Sequence, residues 1–405
     1  MSLETSQRKT TEPGALPSAG FVPLCVPEVR GREWEYVKDC LDTGWVSSVG
    51  SYVDRFEKMV ADCVGVAHAV ATVNGTSALH IALQIAGVKV DDEVLVPTLT
   101  FIAPANAIRY VGAWPVFVDA EPDFWQWDPE KVRTFLEEGC RWANGELRNK
   151  ATGRRMKALL PVHVLGHPVD LAPIVELARK FQLAIIEDAT ESLGAAYRGQ
   201  QVGSFADMAC FSFNGNKLLT TGGGGMIVTN NAEWAQRAKY LTTQAKDDPV
   251  EYVHGAVGYN YRLTNVLAAI GCAQMELIEE YIAAKRRIAA RYEVALAGIP
   301  GLQPMREASW ASSVFWMYTM LVDEAAYGLD SRALLAAFAR ARIQTRPLWQ
   351  PLHLSPAHAG AAVLDSGVAA RLYRAGLSLP CSVGLTKADQ ERVIDTLVRL
   401  ARSSR

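Results

Sequence analysis

The chain has 405 residues, more than one average domain, which favours a large core with a second, smaller domain. Hydrophobic residues make up 49% and charged residues 21%, and the formal net charge of -2 leaves no basic excess for a nucleic acid or an anionic membrane. No apolar run reaches about 18 residues, and the start of the chain lacks the apolar segment of a signal peptide, so we expect a cytoplasmic protein.

Cysteines and histidines give no sign of a disulfide framework or a metal site. The cysteines are odd in number and scattered, without the close pairs of a CxxC site. They are Cys25, Cys40, Cys63, Cys140, Cys210, Cys272 and Cys381. His163 and His167 have near-helical spacing, but a predicted strand end disfavours a shared ligand face. We therefore expect buried thiols and no metal.

The first half of the chain predicts an α/β sheet domain. Residues 1–20 are polar and indicate a flexible tail, and amphipathic helices are predicted over 27–41 and 53–63. From residue 67, short strands alternate with helices, which is typical of βαβ units in a mostly parallel sheet covered on both faces. The predicted strands are 69–73, 93–96, 115–118, 158–163, 183–187 and 208–213. The predicted helices are 77–86, 103–111, 129–137 and 171–180. A polar, basic segment over 139–155 predicts an inserted surface hairpin.

The second half predicts a connecting helix and a smaller α+β domain. A helix over 232–241 and an irregular loop over 247–261 precede one long helix over 264–296, which would link the two domains. The remaining predicted elements are a strand over 316–322 and helices over 331–341 and 386–403. The predicted division is thus a tail (1–20), a large domain (21–275) and a small domain (276–405).

Residues 211–226 place a lone lysine, Lys217, between a predicted strand end and four consecutive glycines. Lysine is costly to bury unless it is paired or chemically used. Its amine can condense with an aldehyde, and glycines let the backbone approach a planar ligand closely. A solvated loop lysine would give the same local pattern, so this segment alone does not decide between the two.

Three further segments follow predicted strand ends, which meet at one edge of a parallel sheet. Residues 74–77 (Asn-Gly-Thr-Ser) precede a helix and can seat a phosphate or simply cap the helix. Asp188 can pair with a protonated pyridine nitrogen or serve as a cap or ion-pair partner. Phe101 can stack on a flat cofactor or belong to the core. Together with Lys217 these segments supply what pyridoxal 5'-phosphate (PLP) requires.

The chain resembles the fold-type I PLP-dependent transferases, which are aspartate aminotransferase-like, and in particular the DegT/DnrJ/EryC1/StrS sugar aminotransferases. The matching segments are collinear from about residue 22 to 400. They are Gly44-Trp-Val-Ser-Ser, Asn74-Gly-Thr-Ser-Ala-Leu, Pro97-Thr-Leu-Thr-Phe, Glu187-Asp-Ala, Gly203-Ser-Phe-Ala-Asp, Phe211-Ser-Phe-Asn-Gly-Asn-Lys, Thr220-Thr-Gly-Gly-Gly-Gly, Gly258-Tyr-Asn-Tyr-Arg and Thr345-Arg-Pro-Leu.

The resemblance implies a role for each matching residue. Lys217 would be the catalytic Schiff-base lysine, Asp188 the partner of the pyridine nitrogen and Phe101 the stacking ring. The phosphate would be held by Gly75, Thr76, Ser77 and Ser212. Asn260 matches a position that reaches the cofactor of the neighbouring subunit, which implies a homodimer with shared active sites. The candidate substrate-binding residues are Trp45, Val46, Ser47, His163 and Arg346, although a structural role at a strand end fits His163 equally well.

Two positions separate this chain from parts of the family. Glu191 stands where many relatives place Gln or His against the cofactor. An ionised carboxylate would be repelled by the cofactor's phenolate oxygen, so we expect Glu191 to be protonated or turned away. Family members that dehydrate instead of transaminating carry His at the lysine position, and Lys217 argues against that branch.

The implied activity is transfer of an amino group from glutamate, which becomes 2-oxoglutarate, to the C4 ketone of a nucleotide-linked 4-keto-6-deoxy sugar in bacterial surface-polysaccharide or glycan biosynthesis. Residues 144–159, which include the stretch 149–156, and residues 187–195 resemble the legionaminic-acid and bacillosamine branch, which implies a UDP-linked 4-keto-6-deoxy-N-acetylhexosamine. Residues 213–217 are shared with perosamine synthases, which implies GDP-linked 4-keto-6-deoxymannose as the alternative. A catalytically silent protein of the same fold that binds ligand for regulation is the alternative from another class.

Overall fold

The computed structural model describes residues 20–248 and 250–403, so the predicted tail lies, apart from Gly20, outside the described residues. The α-helices are α1 Glu33–Thr43, α2 Ser51–Val64, α3 Gly75–Ile85, α4 Ala103–Tyr110, α5 Pro129–Thr134, α6 Leu171–Phe181, α7 Ala232–Thr242, α8 Asn265–Met275, α9 Ile278–Leu296, α10 Glu324–Tyr327, α11 Ser331–Arg340, α12 Val368–Ala375 and α13 Lys387–Ser403. A π-helical turn, Phe135–Gly139, extends α5, and short 3-10 turns span Val164–Gly166, Leu352–Leu354 and Pro356–His358.

The strands form one large sheet, one smaller four-stranded sheet and short ribbons. They are β1 His68–Thr72, β2 Glu93–Pro97, β3 Trp114–Val118, β4 Cys140–Ala143, β5 Glu146–Asn149, β6 Met156–Leu159, β7 Ala184–Asp188, β8 Ala196–Tyr197, β9 Gln200–Gln201, β10 Met208–Ser212, β11 Gly225–Thr229, β12 Lys246–Asp248, β13 Val253–His254, β14 Leu302–Pro304, β15 Ala311–Ser312, β16 Tyr318–Val322, β17 Arg346–Pro347, β18 Ala362–Leu364 and β19 Gly376–Leu379.

The large sheet has eight strands in the order β1-β11-β10-β7-β6-β2-β3-β18. Strand β11 runs antiparallel to both of its neighbours, and all other neighbouring pairs are parallel. The predicted α/β fold with a mostly parallel central sheet is therefore confirmed. The inserted hairpin is confirmed as well, since β4 pairs with β5 in antiparallel register.

Alternation along the central strands buries both faces of the large sheet. In β2, Val94 and Val96 belong to one hydrophobic core, whereas Leu95 between them belongs to the other. The first core contains α3 residues and the second contains residues of α5 and α6. Because successive side chains of a strand point to opposite faces, helices must cover both sides to shield these apolar residues.

One edge of the large sheet collects the segments that matter for function. The parallel strands β1, β7 and β10 all end there, and β11 begins there because it runs in the opposite direction. The loop over residues 213–224, which carries Lys217, connects β10 to β11 at this edge. The fold therefore brings the loop next to the N-terminus of α3 and the end of β7.

The smaller sheet is antiparallel and stands at the same edge. Its strand order is β14-β16-β19-β17. The beginning of the described chain also attaches to this part of the molecule, because the N–H of Val22 donates to the carbonyl of Arg342 (2.9 Å) and the N–H of Cys381 donates to the carbonyl of Leu24 (2.8 Å). Residues from both ends of the sequence thus lie beside the Lys217 loop.

Two helix predictions are wrong in their boundaries. The single helix expected over 264–296 is divided into α8 and α9 at Glu276 and Leu277, neither of which is a helix breaker. Tertiary contacts fix the division, since the Glu276 carboxylate accepts hydrogen bonds from Tyr36 (2.6 Å) and Arg55 (2.7 Å). The helix expected over 27–41 begins only at Glu33, because the preceding residues are held by α8 and α9, where Gln274 (2.8 Å) and Tyr281 (3.3 Å) donate to the carbonyl of Glu28.

Strand β18 was not predicted, and it joins the large sheet although it comes late in the chain. It pairs in parallel with β3. Asp119, just after β3, is fully buried and accepts hydrogen bonds from the N–H groups of Ser366 (2.9 Å), Val368 (3.0 Å) and Ala369 (2.8 Å) and from the Ser366 hydroxyl (2.7 Å). This carboxylate caps α12 and fastens the late segment to the large sheet.

Within the described ranges, no helix is long and apolar enough to cross a membrane.

We predict that Asp119→Asn lowers the free energy of unfolding by roughly 2–4 kcal/mol at pH 7, because an amide cannot accept all of these hydrogen bonds. Burial alone would raise the pKa of Asp119, but its hydrogen bonds, led by that from Ser366, lower it below its ordinary value. The contribution of the carboxylate is therefore complete above about pH 4 and is lost as pH falls through the folded-state pKa.

The measurement is urea unfolding of both proteins at pH 7 and at pH 3, with Asp123→Asn, whose side chain is 65% exposed, as the matched control. The gap between wild type and Asp119→Asn should narrow on acidification. A gap that is constant with pH, or that is no larger than that of the control, would contradict the prediction.

Candidate active site

A cavity of about 340 Å³ opens at the edge of the large sheet where the strands end. One side is formed by the start of α3, the end of β10 and the Lys217 loop, and the other by residues of the smaller sheet and the segment before it. The lining includes the sequence-predicted residues Gly75, Thr76, Phe101, Glu191, Ser212, Lys217 and Arg346. The fold thus brings together residues spread over more than half of the chain.

Lys217 presents a nearly buried amine to this cavity. Its side chain is 14% exposed, and its Nζ lies 3.8 Å from Oε1 of Glu191. The same Nζ lies 4.1 Å from the centre of the Trp316 ring, a cation–π distance. No described residue offers it a hydrogen-bond acceptor within 3.5 Å. The amino group is therefore positioned at the cavity without a hydrogen bond that would hold it away from a ligand.

Glu191 faces Lys217 and does not turn away. Its Oε2 accepts the backbone N–H of Leu165 at 2.8 Å, which fixes the carboxyl group in the wall of the cavity. Burial raises the pKa of Glu191 to about 7, and the positive charge of Lys217 opposes that rise. Of the two expected states, protonated or turned away, the structure favours partial protonation near neutral pH.

Asp188 lies at the end of β7, just behind the cavity wall, with 2% of its surface exposed. Its Oδ1 accepts the N–H of Thr190 at 3.1 Å. Burial raises the pKa of Asp188, while the hydrogen bonds from Thr190 and the charge of Lys217 act in the opposite direction. No described cation lies within ion-pair distance of this carboxyl group, so its chemistry suits a positively charged ligand atom such as a protonated ring nitrogen.

The start of α3 forms an anion seat. Asn74 caps the helix by accepting the N–H of Ser77 at 2.8 Å, whereas the N–H groups of Gly75 and Thr76 have no acceptor among the described residues. A Cβ at Gly75 would lie 2.9 Å from the Ser212 Cβ, so only glycine lets the helix approach β10 this closely. Ser77 is buried and outside the cavity lining, which assigns it to the helix cap more than to the phosphate.

Several aromatic and cationic residues complete the wall. Phe101 and Arg346 line the cavity, and Phe101 is 54% exposed. Trp316 donates its indole N–H to the carbonyl of Asn216 at 2.7 Å, next to Lys217, and stacks on Trp349 with ring centres 6.4 Å apart. Sequence reasoning missed both tryptophans, because no local pattern marks a residue that reaches the cavity from a distant part of the chain. It also missed Thr190, which lies two residues after Asp188 at the end of β7.

The remaining predicted site residues lie elsewhere in the single chain. Trp45, Val46, Ser47 and Asn260 are exposed and outside the cavity, and Asn260 lines a separate surface groove with the neighbouring residues Ser48 and Val49. The loop over residues 45–47 is held by Asn265, which donates its backbone N–H to the carbonyl of Ser47 (2.6 Å) and its side-chain N–H to the carbonyl of Trp45 (2.7 Å).

His163 is fully buried, and both of its ring nitrogens are used inside the protein. Its Nδ1 accepts the N–H of Val169 at 3.1 Å, and its Nε2 lies 2.9 Å from the Glu187 carboxylate. Nε2 therefore carries the proton of the neutral ring. This arrangement corrects the substrate-binding prediction in favour of the structural alternative, because neither nitrogen is left to contact a ligand. No metal-binding group of three or more suitable side chains is found in the described part of the chain.

The residues that the fold assembles fit the chemistry of PLP. A free amine suits its aldehyde, the open N–H groups of α3 suit its phosphate, and the buried Asp188 suits its ring nitrogen. Residues 27–398 match the sequence profile of the DegT/DnrJ/EryC1/StrS aminotransferase family. The chain belongs to this family.

Comparisons with individual family members support that assignment. The chain is 41% identical over 379 residues to a GDP-perosamine synthase of Caulobacter vibrioides, covering 93% of this chain and 97% of the relative. It is 40% identical to a GDP-perosamine synthase of Escherichia coli O157:H7, covering 83% and 86%. The DesV structure from S. venezuelae superposes with a TM-score of 0.82 at 32% identity, covering 91% and 94%. The predicted enzyme class and cofactor, a PLP-dependent aminotransferase, are thereby confirmed.

We predict that Glu191→Gln alters the pH dependence of stability of the aminotransferase prepared without cofactor. A carboxyl with a raised pKa stabilises the fold at low pH and loses that contribution as pH rises towards the folded-state value of about 7. The stability of the variant relative to wild type should therefore increase by ~1–3 kcal/mol between pH 4 and pH 8.

Urea unfolding across this pH range measures the effect, and Glu279→Gln on the exposed face of α9 is the control. The control should follow the wild-type curve at every pH. Parallel curves for wild type and Glu191→Gln would show that Glu191 does not titrate in the wall of the cavity.

Proposed function

We propose that this aminotransferase moves an amino group from glutamate to the C4 ketone of GDP-linked 4-keto-6-deoxymannose, in the biosynthesis of a bacterial surface polysaccharide. The observation that carries this proposal is full-length similarity, at 41% and 40% identity, to two relatives named GDP-perosamine synthase. The segment over residues 213–217, which leads into Lys217 at the cavity, supports it. The GDP-linked sugar therefore replaces the UDP-linked sugar as the main hypothesis.

Two segments suggested a UDP-linked sugar, and the location of the first one gives that alternative little support, whereas the second, residues 187–195, contributes Thr190 and Glu191 to the cavity. Residues 149–156 run from the last residue of β5 through the turn into the first residue of β6, outside the cavity lining. Asn149 and Thr152 both donate to the buried Glu93 carboxylate, at 2.8 Å and 2.9 Å. These contacts give the segment a structural role in satisfying a buried acid, so its sequence carries little information about a substrate.

PLP, when bound, supplies an aldehyde that captures amines and a ring that withdraws electrons from the bond to be broken. Lys217 would hold the aldehyde carbon, and its released amine would move a proton between the donor carbon and the cofactor. Asp188 would keep the ring nitrogen protonated. The N–H groups of Gly75 and Thr76 with the Ser212 hydroxyl would bind the phosphate, and Phe101 would cover one ring face.

Glu191 would support the proton transfer from the side. Its carboxyl group lies 3.8 Å from the Lys217 amine, and burial places its pKa at about 7. It can therefore be neutral when the cofactor's phenolate oxygen is near and can take part of the ammonium charge when Lys217 is protonated. Trp316, against the same amine, limits the directions in which the lysine can swing.

We propose that two copies of the chain share their active sites. Asn260 faces a surface groove and not its own cavity, and the groove is bordered by the exposed apolar residues Val49, Tyr252 and Val257, which are 66%, 66% and 83% exposed. A surface of this kind is suited to contact with a second protein chain. A partner seated there would receive Asn260 and the 45–47 loop at its own cavity.

The substrate proposal is tested by steady-state kinetics with glutamate and a panel of GDP-, UDP- and dTDP-linked 4-keto-6-deoxy sugars. We expect kcat/KM for the GDP-linked mannose derivative to exceed that of the others by roughly tenfold or more. Lys217→Ala should abolish turnover, whereas Lys38→Ala, whose side chain is 59% exposed, should retain it.

A preference for the UDP-linked sugar would replace the proposed substrate and leave the enzyme class intact. A protein that binds PLP and nucleotide sugar but turns over none of the panel would instead favour the silent binding protein.

Shared active sites are tested by mixing two inactive variants. Asn260→Asp should impair the partner's cavity through charge repulsion with the phosphate, and Lys217→Ala should impair its own. A mixed dimer holds one site with both native residues, so random exchange of subunits should restore about a quarter of wild-type activity. No recovery, although mass spectrometry shows mixed dimers, would place Asn260 outside the partner's site.

A further inference from the structure

Lys285 is a buried lysine whose ammonium group faces two cysteine sulfurs and no carboxylate. Its residue surface is 1% exposed, and its Nζ donates to the carbonyls of Trp316 (2.7 Å) and Cys381 (2.6 Å). The same Nζ lies 3.7 Å from Sγ of Cys25 and 3.6 Å from Sγ of Cys381. None of the ion pairs in the described ranges involves Lys285. The carbonyls satisfy its hydrogen bonds, but only a thiolate can balance its charge.

The two cysteines of this cluster are in different states. A hydrogen bond from the Cys381 thiol and the charge of Lys285 lower the pKa of Cys25 to about 6, against the effect of burial. The bond to Cys25, followed by burial, raises the pKa of Cys381 well above its ordinary value. Burial would lower the pKa of Lys285, but the two sulfurs raise it. The nearby charge of Lys285 therefore favours the thiolate form at Cys25 over Cys381, and the Cys25 thiol, when protonated, can donate to the carbonyl of Asn216 (3.4 Å).

Only one of the two sulfurs is accessible from the cavity. Cys25 is partly exposed and lines the wall, where its Sγ lies 3.4 Å from the carbonyl of Asn216, directly before Lys217. Cys381 is buried behind it. A small reagent in the cavity can therefore react with Cys25, whereas the buried Cys381 can react only with a modified Cys25.

The backbone keeps the two cysteines side by side. The N–H of Cys381 donates to the carbonyl of Leu24 at 2.8 Å, and the N–H of Val26 donates to the hydroxyl of Ser382 at 3.0 Å. These bonds flank Cys25 on one segment and Cys381 on the other. Both sulfurs lie within 4 Å of one nitrogen, and backbone hydrogen bonds hold their two segments side by side, so the two cysteines are neighbours in the folded protein.

We propose that Cys25 is an oxidation site in the wall of the active-site cavity and that Cys381 is the thiol that resolves it, with hydrogen peroxide or another small hydroperoxide as the oxidant. The Cys25 thiolate attacks a peroxide oxygen, the O–O bond breaks and hydroxide leaves, which gives a sulfenic acid. The Cys381 sulfur then attacks the Cys25 sulfur, and its proton leaves with the hydroxyl group as water. One thiolate and one thiol are oxidised to one disulfide, and hydrogen peroxide is reduced to one hydroxide, which takes a proton from solvent, and one water; with an organic hydroperoxide an alkoxide leaves in place of the hydroxide and becomes an alcohol.

The disulfide would change the surroundings of Lys217. It would remove the negative charge that balances Lys285 and the contact of Cys25 with the Asn216 carbonyl. Lys285 also donates to the carbonyl of Trp316, whose ring contacts the Lys217 amine. We therefore expect oxidation to lower transaminase activity reversibly, with recovery on addition of a dithiol.

Alkylation of the full-length, PLP-loaded enzyme by iodoacetamide between pH 5 and pH 9, followed by mass spectrometry, tests the thiolate. Cys63 is the matched control, because it is also partly exposed but burial raises its pKa to about 11. At pH 7, Cys25 should react at least roughly tenfold faster than Cys63, and its rate should level off above about pH 6. Equal rates would overturn the proposal.

Peroxide treatment tests the second step. Wild type should yield a peptide pair joined through Cys25 and Cys381, and Cys381→Ser should accumulate a sulfenic acid at Cys25 that dimedone traps. Cys25→Ser should yield neither product. Wild-type protein that stays reduced at both cysteines, or that links Cys25 to any other residue, would overturn the proposal. These readouts do not depend on the identity of the sugar substrate.

Discussion

The convergence of parallel strand ends at one edge of the large sheet is the constraint on which the active site depends. Strands β1, β7 and β10 deliver the anion seat, Asp188 and Ser212 to this edge, and the reversed strand β11 forces the connecting loop with Lys217 to turn there. Gly75 keeps the helix and the strand close enough for their polar groups to act together. Packing on both faces of the sheet holds these segments in place, since no single loop could order them by itself.

Charge is distributed around the cavity so that each lysine is balanced differently. Lys217 is near a carboxyl group whose pKa burial raises to about 7 and near an aromatic ring, which leaves its amine available. Lys285 donates to the carbonyl of Trp316, and its positive charge faces the sulfur of Cys25. The low polarity of this wall strengthens every charge–charge interaction within it, so protonation or oxidation of one group alters the others.

The smaller sheet extends the cavity beyond the large sheet, and the groove around Asn260 lies apart from it on the surface. Trp316, Trp349 and Arg346 close the cavity from the C-terminal half of the chain, and Cys25 closes it from the beginning of the described chain. Asn260 and the 45–47 loop, which the family resemblance associates with cofactor and substrate, face outwards with exposed apolar residues. Both features support the proposal that a second copy of the chain completes the site.

The sequence by itself determined the fold class, the position of the hairpin and the residues at the strand ends, because period-two burial, glycine runs and helix caps are local patterns. It did not determine the division between α8 and α9, since Glu276 and Leu277 are ordinary helix residues and the Glu276 contacts with Tyr36 and Arg55 come from distant segments. The burial of His163, the approach of Trp316 to Lys217 and the meeting of Cys25, Lys285 and Cys381 were likewise decided only by the tertiary structure. Each joins residues far apart in the chain, and contacts of that kind leave no periodic trace in the sequence.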